Sequence, residues 1–201
     1  MVRGRKIAFF DFDGTITAKD TLLEIIKFQM GKAAFYKGFL IHGPWLLAYK
    51  LKLLPNDQVK QKILAYYFSG MAELVFQEKC DLFAEKKLPE LIRPAALAEI
   101  GRLRTLGFEI VVISASAGNW IRKWTNGLSL KLVSTRLEVK NGLMTGRIEG
   151  LNCHGEQKVV CIRDQWNLQD YEEIYAYGDS SGDKPMLALA TKSFYKPFRT
   201  A

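Results

Sequence analysis

Thiols are scarce in this chain: its 201 residues hold three cysteines, Cys80, Cys153 and Cys161. The number is odd, no Cys-x-x-Cys pair occurs, and His154 is the one histidine near Cys153 and Cys161. This argues against a disulfide framework or a zinc finger, and reduced thiols in a cytoplasmic protein are expected. Also missing is an apolar run of the length that spans a bilayer, about 18 residues or more. The greasiest stretch, 35–54, is interrupted by Pro44, Lys50 and Lys52. A single short apolar run, Ile7 to Phe10, precedes Asp11, so no signal peptide is expected. Basic side chains exceed acidic ones, 29 against 21 for a net charge of +8, but they are scattered. The excess points to an anionic partner. The lack of a basic arm or recognition-helix spacing argues against nucleic acid.

What is present is an ordinary globular composition, 48% apolar and 25% charged, enough for a core without staples. Lys6 to Phe10 reads as a short buried strand that ends in Asp11-Phe12-Asp13-Gly14-Thr15. From Ile16 to Pro94 the texture is helical, punctuated by Gly31, Gly43-Pro44 and Pro55-Asn56. Asn56-Asp57 is placed to start a helix, and a further helix is expected over 72–87. Alternation resumes with a helix over 95–105 and a strand over 108–113 that ends at Ser114-Ala115-Ser116. Then come a helix over 118–126, a strand over 131–134 and a hairpin over 136–150 turning at Asn141-Gly142. A helix over 156–165, a strand over 173–177 ending at Gly178-Asp179, a helix over 183–190 and a strand over 193–195 complete the chain. Alternating strands and helices predict an α/β fold, a Rossmann-like parallel sheet with right-handed crossovers.

Three strand ends carry polar residues: Asp11 with Asp13, Ser114, and Asp179 with Asp183. In a parallel sheet such ends share one edge, and Lys158 at a helix start can join them there. Crowded carboxylates must be protonated or neutralised. Mg²⁺ does this with one or two carboxylates plus water and substrate phosphate, while Lys and Ser hold phosphoryl oxygens.

The segment Asp11-Phe12-Asp13-Gly14-Thr15-Ile16 resembles the first motif of the haloacid dehalogenase (HAD) superfamily. Ile113-Ser114-Ala115-Ser116 resembles its second motif, Lys158 its third, and Gly178 to Leu187 its fourth. The match is to the phosphoserine-phosphatase-like branch, subfamily IB. The resemblance implies a HAD-like core formed by 1–16 and 93–201, with a helical cap at 17–92. It also implies an Mg²⁺-dependent phosphatase working through an aspartyl-phosphate. Asp11 is then the nucleophile and Asp13 the general acid and base. Asp11, the Asp13 carbonyl and Asp179 hold Mg²⁺, with Asp183 supporting the site. Ser114 and the Ala115 amide bind the phosphoryl group, Lys158 offsets charge, and Gly14 permits the turn. Two positions depart from the phosphoserine-specific pattern: Ala115-Ser116 stands for Gly-Gly, and Asp20 stands for Glu.

The expected substrate is a small phosphorylated metabolite or a lipid phosphate headgroup, bound by a monomer or homodimer. Stretch 35–54 reads either as packing within the cap or as a greasy surface that touches lipid at the inner membrane face. Asp20 reads as a helix cap or a substrate contact, and the roles of His42 and His154 stay open. A silent phosphate-binding scaffold of the same fold should have lost Asp11 or Asp13, and a dehalogenase would not need Asp13. A phosphotransferase or phosphomutase remains an alternative.

Overall fold

The computed structural model describes residues 4–51 and 56–199, so Lys52 and Pro55 lie outside the described residues. Among the described residues six strands form one sheet: β1 (Arg5–Phe10), β2 (Phe108–Ala117), β3 (Lys131–Lys140), β4 (Leu143–Glu149), β5 (Tyr171–Gly178) and β6 (Lys192–Tyr195). Their order is β4-β3-β2-β1-β5-β6, and all neighbours are parallel except the β3–β4 hairpin. In β1 all four residues from Ile7 to Phe10 are fully buried, as a central parallel strand covered on both faces requires.

Among the described residues eight α-helices accompany the sheet: α1 (Thr21–Ile41), α2 (Gly43–Lys50), α3 (Asn56–Phe68), α4 (Glu73–Lys86), α5 (Pro94–Thr105), α6 (Arg122–Gly127), α7 (Glu156–Gln165) and α8 (Lys184–Leu187). Strand alternation sends Ile7 and Phe9 to one face, where they pack with Ile162 of α7, Trp166 just after it and Met186 of α8. Ala8 and Phe10 face the other side, in a cluster that extends through Ile100 and Leu103 of α5 into Ile25, Leu64 and Phe76 of α1, α3 and α4. Among the described residues no helix is long and apolar enough to cross a membrane.

Helices α1–α4 lie between β1 and β2 in the chain, and backbone hydrogen bonds tie them down at two places. At their base, Ala18 N–H donates to Leu91 O at 2.7 Å and Arg93 N–H to Ile16 O at 2.8 Å. At the far side, Gly70 N–H donates to Met144 O and Met144 N–H to Met71 O, at 2.9 and 2.8 Å. Gly146 lets β4 approach α3 this closely, because a Cβ there would lie 2.2 Å from the Ala65 Cα. Helix α1 is broken at Gly31, whose φ of +81° few side chains tolerate.

Three sequence expectations are corrected. The strand over 131–134 and the first arm of the hairpin are one strand, β3, parallel to β2 up to Thr135 and antiparallel to β4 from Arg136. The helix expected over 118–126 opens as a 3-10 turn, Gly118–Trp120, before α6. Gly118 is pressed against β3 there, where a Cβ would meet the Ser134 Oγ at 2.6 Å. The helix expected over 183–190 is only the four residues of α8, since the chain beyond it tightens into Leu189 N–H to Met186 O and Ala190 N–H to Leu187 O bonds.

Candidate active site

The sheet edge where β1 and β5 end gathers a buried charged cluster. Asp11 follows β1 directly, and its N–H donates to Tyr177 O at 2.9 Å, extending the pairing with β5 by one residue. The chain then turns through Phe12–Ile16 with Gly14 at φ +85°. A Cβ on Gly14 would lie 2.5 Å from the Asp179 Oδ2, so conformation and space both call for glycine. Lys158, in the first turn of α7, is almost fully buried. Its Nζ donates to Asp11 Oδ1 and Asp183 Oδ1, both at 2.6 Å. The other Asp183 oxygen accepts from Ser180 N–H at 2.9 Å, Ser180 Oγ at 2.7 Å and Asp179 N–H at 3.2 Å. Thr15 Oγ1 donates to Asp11 Oδ2 at 3.0 Å, and Arg199 Nη2 reaches Asp179 Oδ2 at 2.5 Å.

Electrostatics follow from this packing. Burial pushes the Asp11 carboxyl up to about 7 against the pull of Lys158, and Asp183 and Asp13 add to the push. Burial also acts on Asp183, but Lys158 and the Ser180 donors outweigh it and hold that carboxyl below the usual range. Lys158 is held above its ordinary range: burial opposes its charge, and the two aspartates more than compensate. One ammonium thus serves two carboxylates, leaving net negative charge in the cluster. One carboxylate oxygen from each of Asp11, Asp179 and Asp183 lies within 4.8 Å of the other two. This is a hard-oxygen donor set of the kind Mg²⁺ prefers.

A cavity of about 390 Å³ opens over the cluster. One wall carries Asp11, Asp13, Lys158 and Asp183, with Ala115 and Ser116 from the end of β2. The apolar part of the lining comes from Leu22, Leu23 and Phe39 of α1 and Val59 and Ile63 of α3. Asp13 is on the wall, and its Oδ1 accepts from Thr21 N–H at 2.6 Å. Asp20 caps α1 by accepting from Leu23 N–H at 3.1 Å and also borders the cavity. Desolvation on the cavity side and repulsion from Asp13 push its carboxyl up, to about 6. Its outer edge is open to solvent, which limits that desolvation.

Ser114 behaves differently from the other sequence candidates. Its side chain is fully buried, its hydroxyl accepts from Ser116 N–H at 3.0 Å, and it is not part of the cavity wall. His154 does border the cavity, packed so closely on Gly182 that a Cβ there would lie 2.1 Å from the His154 Cε1. Burial and the nearby Lys158 charge lower the imidazole pKa. His42 bonds Gly38 O within α1, at 2.9 Å.

Sequence reasoning missed Lys60. It is 9% exposed, lines the cavity from α3, and donates to Ala115 O and, at 3.3 Å, to Asn152 Oδ1. The signal was available: Lys60, Ile63, Leu64 and Tyr67 form one i, i+3, i+4, i+7 stripe, and a lysine in a buried stripe is out of place.

Comparison with known proteins agrees with this geometry. The family model for haloacid dehalogenase-like hydrolases matches residues 8–188. The chain belongs to that family. This HAD hydrolase is 32% identical to Protein CicA of Caulobacter vibrioides over 192 residues, 94% of this chain and 85% of CicA. It is 27% identical to a probable phosphatase of Mycobacterium tuberculosis, covering 98% of this chain and 71% of that protein. Its fold matches a crystal structure of a Bordetella pertussis protein of unknown function with a TM-score of 0.82, at 21% identity over 94% of this chain and 89% of that one. It also matches a phosphoserine phosphatase carrying an analogue of the phospho-aspartyl intermediate, with a TM-score of 0.64 and 20% identity over 95% and 86% of the two chains.

Proposed function

We propose that this HAD hydrolase is a Mg²⁺-dependent phosphomonoesterase with Asp11 as nucleophile. The carrying observation is the buried Lys158 bridging Asp11 and Asp183 at the floor of a cavity, with Asp179 beside them. Asp11, Asp179 and Asp183, with the Asp13 carbonyl, would hold the ion. When bound, Mg²⁺ supplies positive charge that favours ionised Asp11 and offsets the phosphate.

Asp11 attacks phosphorus, forming an aspartyl–phosphate bond as the ester P–O bond breaks. Asp13 gives its proton to the departing alkoxide. Water then attacks phosphorus, Asp13 takes its proton, and orthophosphate leaves as the Asp11–phosphorus bond breaks. Lys158 holds Asp11 in place and limits repulsion between its carboxylate and the incoming phosphoryl oxygens. Ala115 and Ser116 face those oxygens. Ser114 sets the backbone of that strand end through its bond to Ser116 N–H, a supporting role suited to its burial. Gly14 keeps Asp179 within reach.

Residues 17–92 act as the cap over a core of 1–16 and 93–201, and the apolar wall that α1 and α3 contribute excludes water from the reacting centre. The substrate is a small phosphorylated metabolite or a lipid phosphate headgroup. The apolar wall supports the latter, as does the adjoining surface: Tyr36, Leu40, Ile41, Trp45 and Leu47 are exposed. From Ile25 to Asn56 the chain has five lysines and no carboxylate. That composition suits peripheral contact with an anionic bilayer from the cytoplasmic side.

The test is phosphate release from p-nitrophenyl phosphate, phosphoserine and phosphatidylglycerol phosphate in detergent, with Mg²⁺ and with EDTA. Acid quenching during turnover should trap a hydroxylamine-sensitive phosphoenzyme. Absence of Mg²⁺-dependent release from all of them would leave a silent phosphate-binding scaffold as the better reading. Transfer to a second hydroxyl in place of water would point to a phosphotransferase.

A further inference from the structure

Lys60 combines two properties that seldom meet: it is buried, and no carboxylate forms an ion pair with it among the described residues. Its two acceptors, Ala115 O and Asn152 Oδ1, are neutral. A buried ammonium held only by neutral oxygens keeps its charge available to an anion, and without one its desolvation is poorly repaid. Burial works against that charge, while Asp13 and Asp20 act to preserve it.

The rest of the cavity shows where such an anion would sit. A phosphoryl group entering here meets the carboxylates of Asp11, Asp13 and Asp183. The other lysine on the wall, Lys158, has already committed two of its three donors, to Asp11 and Asp183. Lys60 donates to the carbonyl of Ala115, in the irregular last residues of β2 that border the same cavity. One turn on along α3, Ile63 turns to the apolar side of the cavity, where a leaving group would lie.

We propose that Lys60 is a phosphate-binding residue supplied by the helical insertion, its ammonium taking a non-bridging oxygen of the phosphoryl group while the core holds the others. The proposal rests on the phosphatase reading. It adds that the phosphate site is complete only when α3 is packed against the core, so substrate affinity and the position of the insertion are coupled through one side chain.

The experiment is calorimetric titration of wild type, Lys60→Met and Lys60→Arg with orthophosphate at saturating Mg²⁺, alongside p-nitrophenyl phosphate kinetics. Loss of one charge-assisted hydrogen bond should weaken orthophosphate binding by about tenfold to a hundredfold in the Met variant. KM should rise more than kcat falls, and Arg should restore much of the affinity. Circular dichroism melts verify folding, with Lys60→Gln replacing Met if the Met protein does not fold. Unchanged orthophosphate affinity in a folded Met or Gln variant overturns the proposal, as does failure of the wild type to bind orthophosphate. Failure of the phosphatase reading shows separately, as absent turnover by a wild type that still binds orthophosphate.

Discussion

Removing Lys158 tests the charge logic of the site most directly. In Lys158→Met the side-chain volume is nearly kept, but Asp11 and Asp183 lose the ammonium that lies 2.6 Å from each. Breaking a buried ion pair by deleting one partner costs about 3–5 kcal/mol, because an uncompensated charge stays behind. For a chain of this size each kcal/mol moves the melting temperature by about 2–4 °C, so the expected drop is about 6–20 °C at neutral pH. The cost has an escape route. Asp11 already sits near 7 with Lys158 present, and losing the lysine drives it higher. Protonation then relieves the repulsion, so the deficit at pH 5 should be clearly smaller than at pH 8. Melts followed by circular dichroism at both pH values, in EDTA, read this out. The double variant Lys158→Met/Asp183→Asn should regain part of the loss. A deficit under about 1 kcal/mol at pH 8, or one independent of pH, would refute the view that this lysine compensates two buried carboxylates.

Asp11→Asn should abolish phosphate release while keeping the fold, and activity near wild type would remove Asp11 from its role. Asp11 has a folded pKa of about 7 against an ordinary 3.8, so the folded state binds the extra proton between those values. Its contribution to stability is therefore present at low pH and lost as pH rises through about 4 to 7. In EDTA the melting temperature of wild type relative to Asp11→Asn should fall across that window, and Mg²⁺ should flatten the trend; a flat difference in EDTA contradicts the assignment. Gly14→Ala should cost about 1–2 kcal/mol for its left-handed backbone and weaken Mg²⁺ affinity by displacing Asp179, both measurable by melts at graded Mg²⁺. Unaltered Mg²⁺ dependence would show that Asp179 does not need the space Gly14 leaves.

Much of this architecture was legible because strong local signals coincide. Ile7 to Phe10 is apolar without alternation and stops at an aspartate, which marks a central parallel strand whose end builds a site. Asn141-Gly142 takes positive φ at both residues, as a two-residue hairpin turn demands. The errors arose where tertiary packing decides. Whether 131–140 is one strand or two depends on β2 and β4 sharing it, which spacing along the chain does not reveal. The early end of α8 reflects the turn into β6, fixed by Thr191 bonding Ile174 across the sheet. Ser114 stands at the expected strand end, and the bond its hydroxyl accepts from Ser116 N–H is a local contact that spacing along the chain does not reveal. Lys60 escaped notice because it lies far from every motif and reaches the site only once α3 has docked on β4.

The two sets of backbone bonds that fasten the helical insertion also restrict how it can move. With 16–18 tied to 91–93, and 70–73 tied to 142–144, the insertion cannot lift away as a rigid lid without breaking sheet-like hydrogen bonds. The arm from Gly31 through α2 is held differently: among the described residues its links to α3 include Tyr67 Oη on Phe35 O and Lys62 stacked over Trp45. That arm carries Phe39, part of the cavity wall, and it starts at a glycine that already breaks its helix. Substitutions in residues 31–51 would therefore reshape the cavity wall at Phe39 while leaving those backbone bonds in place.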